Sequence, residues 1–304
     1  VGTFQYAAAL RDKRSLKELA DYTISRHYSQ LIGSKNLYRD FLHAVIDRQA
    51  FLISQWMLIG FIHGVMNTDN MTLSGESIDY GPCAFLDSYQ PKTVYSSIDH
   101  QGRYAYQNQP DIAQWNLARF SETLLLLIDD DINKAIAIAE EELGCFAPLF
   151  RAYWLEGMRK KLGLFSKETE DVKLSYALLE WMDHAGADYT NTFRALASEN
   201  TPMGEIYQDR AFQDWRAKWI MRLERNPKPK KSSFCLMNAN NPAIIPRNEY
   251  VEAALMAAND SLDLSKLKRL LTALADPYKD DSSFTDLQNV SSPSNGCFKT
   301  FCGT

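Results

Sequence analysis

The stretch WMLIGFIHGVMNTDNM, residues 56–71, followed after a short connection by IDYGPCAFLD, residues 78–87, decides how this chain is read. The apolar run 56–65 predicts the end of a buried helix that stops between Gly60 and Gly64, leaving Met66 to Met71 in a loop. Loops carried by rigid elements are where catalytic groups usually sit. Asn67, Asp69 and Asn70 lie in that loop, and Asp79 follows nine positions after Asn70. Carboxylate and amide oxygens are hard ligands of the kind Mg²⁺ takes, with water and phosphate oxygens completing its octahedron. The pattern therefore predicts a nucleotide and metal site.

The spacing compares with the protein-kinase signature, in which His-Arg-Asp is followed by a metal-binding Asn and later by an Asp-Phe-Gly that supplies a second ligand. Counting from His63, the seventh residue on is Asn70, and Asp79-Tyr80-Gly81 stands in the Asp-Phe-Gly place. The same count puts Val65 where the catalytic Asp belongs. Valine neither accepts a proton nor orients a hydroxyl, so phosphotransfer in this register loses its base. Asp69, beside Asn70, is the nearest substitute, although an Asx-turn residue closing its own loop is the competing reading. Asp79, between Ile78 and Tyr80, favours a functional role, because a charge in apolar surroundings is costly unless paired or metal-bound. His63 is expected to hold the loop by hydrogen bonds rather than to move a proton.

At this point HGVMNTDNM (63–71), IDYGPCAFLD and SIDHQGRYAYQNQPDIAQWNLARF (97–120) resemble the core of the SelO family, also called the UPF0061 or YdiU family. VGTFQY (1–6), DYTNTFRAL (188–196) and NPAIIPRNEYVEAAL (241–255) extend the likeness over essentially the whole chain. The resemblance implies a pseudokinase acting as a protein adenylyltransferase, which moves AMP from ATP to Ser, Thr or Tyr hydroxyls of proteins and binds ATP flipped relative to kinases. It matches Asp69 to the proposed proton acceptor, and Asn70 and Asp79 to the Mg²⁺ ligands (Mn²⁺ being the alternative ion), with Asp79 reaching ATP through the metal. The implied fold class is α+β, mostly helical: a protein-kinase-like C-lobe with a remnant of the N-lobe. In the family VGTFQY lies well inside the protein, after a nucleotide-binding portion, so this chain is expected to be the C-terminal part of a longer one. The resemblance also implies a cytoplasmic location in a bacterium and a mitochondrial one in a eukaryote. Cys302 stands on a tail where some relatives carry selenocysteine, which implies a redox role. In some relatives a cysteine after DYGP pairs with that tail; Tyr95 matches its position here, Cys83 lies nearer Asp79, and a Cys83–Cys302 bridge stays open.

Composition sets the remaining bounds. A chain of 304 residues with 45% hydrophobic content is long enough to bury a sizeable core. Its net charge of −5 provides no basic field for nucleic acid or an anionic membrane, and neither is expected as a partner. The longest apolar candidate is interrupted by Gln55, Gly60 and His63, so no membrane span is supported. Five cysteines without a CxxC pair do not indicate a structural zinc site.

In order, VGTFQY reads as a strand end, Ser15 as the cap of a helix over 16–31, and Leu37 to Ile62 as a buried central helix. His27 reads as a dipole partner near the end of its helix. Helices are predicted over 111–128, 131–143, 147–162, 172–184, 189–197 and 208–225, with Trp115, Phe120, Trp154 and Trp181 as core. NPKPKK (226–231) reads as a linker, with helices again from about Asn248 and over 265–274, and the polar stretch 280–296 as mobile. The resulting division is 1–33, end of the N-lobe and first helix; 34–225, catalytic lobe; and 226–304, helical extension with a flexible tail. His100 and Arg103 line a protein-substrate groove or merely fix the segment that carries them. Two rival functions stay open beside AMP transfer: kinase-type phosphotransfer with Asp69 as base, and a non-catalytic nucleotide-binding scaffold.

Overall fold

The computed structural model describes residues 1–198, 202, 204–289 and 298–300. Among these the chain is mostly helical, with one two-stranded antiparallel sheet. Helix α1 (Gly2–Ala9) packs beside α2 (Lys13–His27), and α3 (Leu37–Ile59) runs through the centre. Strands β1 (Phe61–Ile62) and β2 (Ala84–Phe85) pair with Phe61 opposite Phe85 and Ile62 opposite Ala84. Then follow α4 (Gln109–Ile128), α5 (Ile132–Gly144), α6 (Phe146–Lys161), α7 (Asp171–Ala185), α8 (Tyr189–Ala195), α9 (Arg210–Glu224), α10 (Lys230–Asn240), α11 (Asn248–Ser261) and α12 (Ser265–Leu274).

The central helix is central because of what it buries. Phe41, Leu42, Val45, Ile46, Ala50, Ile53, Trp56, Met57 and Leu58 are all in the core, and α4, α5 and α6 pack around them. Phe51, on the same helix, is half exposed and packs edge-on against Tyr153. The helix ends at Ile59 rather than Ile62, because Gly60 turns left-handed (φ 74°) and Phe61 and Ile62 are taken into the sheet. A side chain at Gly60 would also meet the Tyr189 ring at 3.0 Å. Glycine alone combines that conformation with that approach at no steric cost.

Several sequence expectations are corrected. VGTFQY is helical, not a strand end: Phe4 and Ala7, three apart, are buried on one face, and Phe4 meets Phe120 edge-on at 5.2 Å. The cap of α2 is Asp12, whose carboxylate accepts from the Arg14 N–H, while Ser15 donates to the same carboxylate. Trp115 is 43% exposed, lying between the guanidinium groups of Arg103 and Arg119. Lys230 and Lys231, read as linker, open α10, whose Phe234 and Met237 join the main core. Part of the stretch read as mobile is ordered as a 3₁₀ turn, Ser282–Gln288, capped by Asp281. A second, smaller apolar cluster of Ile244, Leu270, Ala273 and Leu287 binds α12 and this turn. Of the described residues, no helix is long and apolar enough to cross a membrane.

Candidate active site

Two loops hang from the sheet. One, 63–70, follows β1 and ends in a 3₁₀ turn, Thr68–Asn70; the other, 78–82, precedes β2. They are joined directly: the His63 Nε2 donates to the Ile78 carbonyl at 2.7 Å. The imidazole is fully buried and stacks on Trp56 at 5.3 Å, and burial lowers its pKa, so it is the neutral ring with its proton on Nε2. Gly64 lets the loops touch, since a Cβ there would meet the Pro82 carbonyl at 2.8 Å. His63 thus fastens the loops together, as expected of it.

Helix α4 braces them from behind. Gln109 and Asn116, seven residues or two turns apart, share one face and are fully buried. The Gln109 amide accepts from the His63 N–H at 3.0 Å and donates to the Phe61 carbonyl at 2.9 Å. Asn116 donates to the Met66 carbonyl at 2.9 Å. Tyr104 donates to the Asn67 side chain at 2.6 Å, so Asn67 is occupied in bracing. Gln109, Asn116 and Tyr104 went unassigned in the sequence reading. The only signal was spacing: two amides seven apart on a helix that also carries apolar residues.

The expected site residues divide by where their side chains go. Asn70 donates its amide N–H to the Val65 carbonyl at 3.0 Å, which leaves its Oδ1 as the remaining donor oxygen. Asp79 is exposed, directly after Ile78, and its charge acts on the His63 ring. Asn70 is thus tied to the Val65 backbone, and the residue before Asp79 to the His63 ring. Asp79 has φ 56°, a left-handed conformation that is uncommon outside glycine and that clusters at functional sites. Asp69 is also exposed, but its carboxylate lies against Gly2 at the start of α1, where a Cβ would fall 1.7 Å from Oδ1. A side chain at Gly2 would therefore displace the Asp69 carboxylate from its position. Among the described residues no lysine or arginine pairs with Asp69 or Asp79. A hard divalent ion such as Mg²⁺ or Mn²⁺ suits the oxygens that Asn70 and Asp79 offer.

The second loop is flanked by the segment around Thr300. Thr300 accepts from the Ser97 N–H at 3.0 Å, donates to the Tyr95 carbonyl at 2.8 Å, and its hydroxyl donates to the Pro82 carbonyl at 2.7 Å. Arg103 lies over the Tyr104 and Trp115 rings. Cys83, Cys145 and Cys235 are free thiols, and burial pushes that of Cys83 up. Cys302, with its expected redox role and bridge, lies outside the described residues.

These features define a mostly helical protein that presents unpaired amide and carboxylate oxygens on two braced loops. Residues 1–275 match the family model described as "Protein adenylyltransferase SelO". Over all 304 residues the chain is 54% identical to "Protein nucleotidyltransferase YdiU" of Nitrosococcus oceani, covering 62% of that relative. The proteins of the same description from Alcanivorax borkumensis and Bacillus cytotoxicus are 54% and 52% identical, with 63% and 62% of their lengths covered. This chain belongs to the SelO family. It spans somewhat less than two thirds of the length of these curated relatives.

Proposed function

We propose that this chain is the part of a protein adenylyltransferase that holds the metal and the proton acceptor, with the kinase-like lobe at 34–225, an N-lobe remnant before it and a helical extension after it. The observation that supports the reading is the pair of oxygen donors without a cationic partner among the described residues, Asn70 Oδ1, whose amide N–H is held by the Val65 carbonyl, and the Asp79 carboxylate, directly after the Ile78 carbonyl that the His63 ring holds. Asn70 and Asp79 would hold a divalent ion, Mg²⁺ or Mn²⁺, which when bound would neutralise charge on the ATP phosphates. Asn70 is oriented for this by its bond to Val65, and Asp79 by the left-handed turn after Ile78. Asp69 accepts the proton of a Ser, Thr or Tyr hydroxyl on a protein substrate. The hydroxyl oxygen bonds to the α-phosphorus of ATP, the bond to the bridging oxygen breaks, and pyrophosphate leaves. Val65, where a kinase has its base, is the feature that separates this chemistry from ordinary phosphotransfer.

The test is the intact mass of a protein acceptor after incubation with ATP and Mg²⁺. The full-length protein of the relatives' size and its Asp79→Ala variant are compared. An adenylyl-sized gain that Asp79→Ala abolishes is expected. A phosphoryl-sized gain would replace this reading with kinase chemistry, and no gain from an acceptor that a working relative modifies would replace it with the scaffold reading.

A further inference from the structure

At the far end of α3 from the candidate active site, three helices bring together nitrogen, oxygen and sulfur donors. His43 comes from α3, Glu142 from the last turn of α5, and Cys145 from the junction of α5 and α6. One donor atom from each lies within 4.8 Å of the others. From His43 to Gly60 the helix rises about 25 Å, so this cluster is separate from the 63–70 loop. We propose that His43, Glu142 and Cys145 bind a borderline transition-metal ion, Zn²⁺ being the fitting one, and that the ion clamps α3 to the α5–α6 corner.

The donor set is the first reason. Imidazole, carboxylate and thiolate together suit Zn²⁺ and do not suit Mg²⁺ or Ca²⁺, which take oxygen. Burial is the second. Glu142 is 5% exposed, whereas the His43 side chain is 49% exposed, so the carboxylate is fixed in the wall and the imidazole leaves a way in from solvent. Orientation is the third. Arg39 Nε donates to Glu142 Oε1 at 2.6 Å, and Oε2 faces His43 Nδ1 at 2.7 Å. Arg39 therefore acts as the outer partner that holds a ligating carboxylate in place. Its positive charge is met by Glu141, 3.2 Å from the same guanidinium. With Glu142 and the Cys145 thiolate each contributing one negative charge, a divalent ion completes a neutral site. Three protein ligands leave a fourth position for water.

Binding is written as an exchange. Zn²⁺ takes the place of the hydrogen between His43 Nδ1 and Glu142, the neutral imidazole then carries its one proton on Nε2 instead of Nδ1, and the Cys145 thiol proton passes to solvent as the S–Zn bond forms. One proton is released per ion near neutral pH, and affinity rises with pH accordingly.

The experiment uses the full chain with Cys83, Cys235, Cys297 and Cys302 replaced by Ser, so that Cys145 is the one thiol. Co²⁺ is added as the spectroscopic probe and Zn²⁺ is measured by competition with a chromogenic chelator. One Co²⁺ per chain is expected, with a near-ultraviolet thiolate charge-transfer band and the visible bands of four-coordinate cobalt. Adding Cys145→Ser or His43→Ala should abolish the band or the four-coordinate spectrum. Each should also weaken Zn²⁺ binding by more than the about 10–100-fold typical of an outer-partner change, which is the loss expected for Arg39→Gln. Absence of the band in the chain that keeps Cys145, or Zn²⁺ binding unmoved by Cys145→Ser, would overturn the proposal.

Discussion

The two loops of the candidate site and the buried ion pairs elsewhere in the fold use carboxylates in opposite ways. Asp171, fully buried at the start of α7, takes Arg159 Nε and Arg222 Nε at 2.7 Å each and the Glu168 N–H at 2.9 Å. Burial alone would raise its pKa, but Arg222, Arg159 and that N–H together hold it below the usual carboxylate range. Arg247, 1% exposed, likewise spans Asp87 at 3.1 Å and Asp188 at 2.9 Å, tying the chain after α10 to the segment around β2 and α8. The site loops are braced instead by neutral groups, His63, Gln109 and Asn116. Neutral bracing leaves Asp69 and Asp79 without a side-chain cation, and their field remains available to a ligand. A carboxylate's role here follows from what already balances it.

Breaking the paired kind should cost most. Asp171→Ala removes the buried carboxylate that Arg159 and Arg222 share, leaving Arg222 only the half-buried Glu168 at 3.2 Å, and should lower stability by about 3–5 kcal/mol, read as a drop in the denaturant midpoint at unchanged slope. An unchanged midpoint would show that the pair is not what holds α6, α7 and α9 together.

Among the described residues Lys161 is a buried cation with no carboxylate paired to it, and it sharpens the comparison through pH. Its amine lies over the Phe193 ring at 4.1 Å and the Tyr189 ring at 5.3 Å, and burial lowers its pKa from 10.5 to about 7. The folded value lies below the unfolded one, so the stabilising contribution is present above the unfolded pKa and is lost as pH falls through about 7. Between those limits the native chain should lose up to about 1.4 kcal/mol per pH unit relative to Lys161→Met. Parallel stability–pH curves for the two proteins would refute this.

Gln109→Leu tests the neutral brace. It strips the Phe61 carbonyl and the His63 N–H of their partner, for a loss of about 1–3 kcal/mol. Hydrogen exchange at the 61–64 amides should accelerate more than exchange in α6. Uniform acceleration would mean that Gln109 only contributes to global stability.

The smallest effect on stability should come from the residue expected to matter most for function. Asp79→Gly relieves a left-handed carboxylate residue and should change stability by no more than about 1 kcal/mol, in the stabilising direction. In the full-length protein the same change should abolish Mg²⁺-dependent nucleotide binding by calorimetry. Retained binding would remove Asp79 from the metal site.

Much of the helical framework was legible before the structure. The helix over 265–274 matches α12, and those predicted from Asp111 to Arg225 differ from the observed ones by a few residues at their ends. Caps and apolar spacing are local, and local signals survive in a sequence. The errors came where a distant contact decided. VGTFQY is helical because Phe4 docks on Phe120, and α3 stops early because Ile62 and Phe61 find Ala84 and Phe85. Trp115 is exposed because its face of α4 meets Arg103 and Arg119 instead of the core.

The sequence by itself determined the central helix, the order of Asp69, Asn70 and Asp79, and the valine two residues after His63, since these rest on residue type and spacing along one chain. Only the tertiary structure decided which carboxylates are balanced. Pairing joins residues as far apart as Asp87 and Arg247, whereas Asp69 is set against Gly2 by the packing of α1 on the loop. A side chain's charge is written in the sequence, but whether it is free to act depends on the neighbours that folding brings to it.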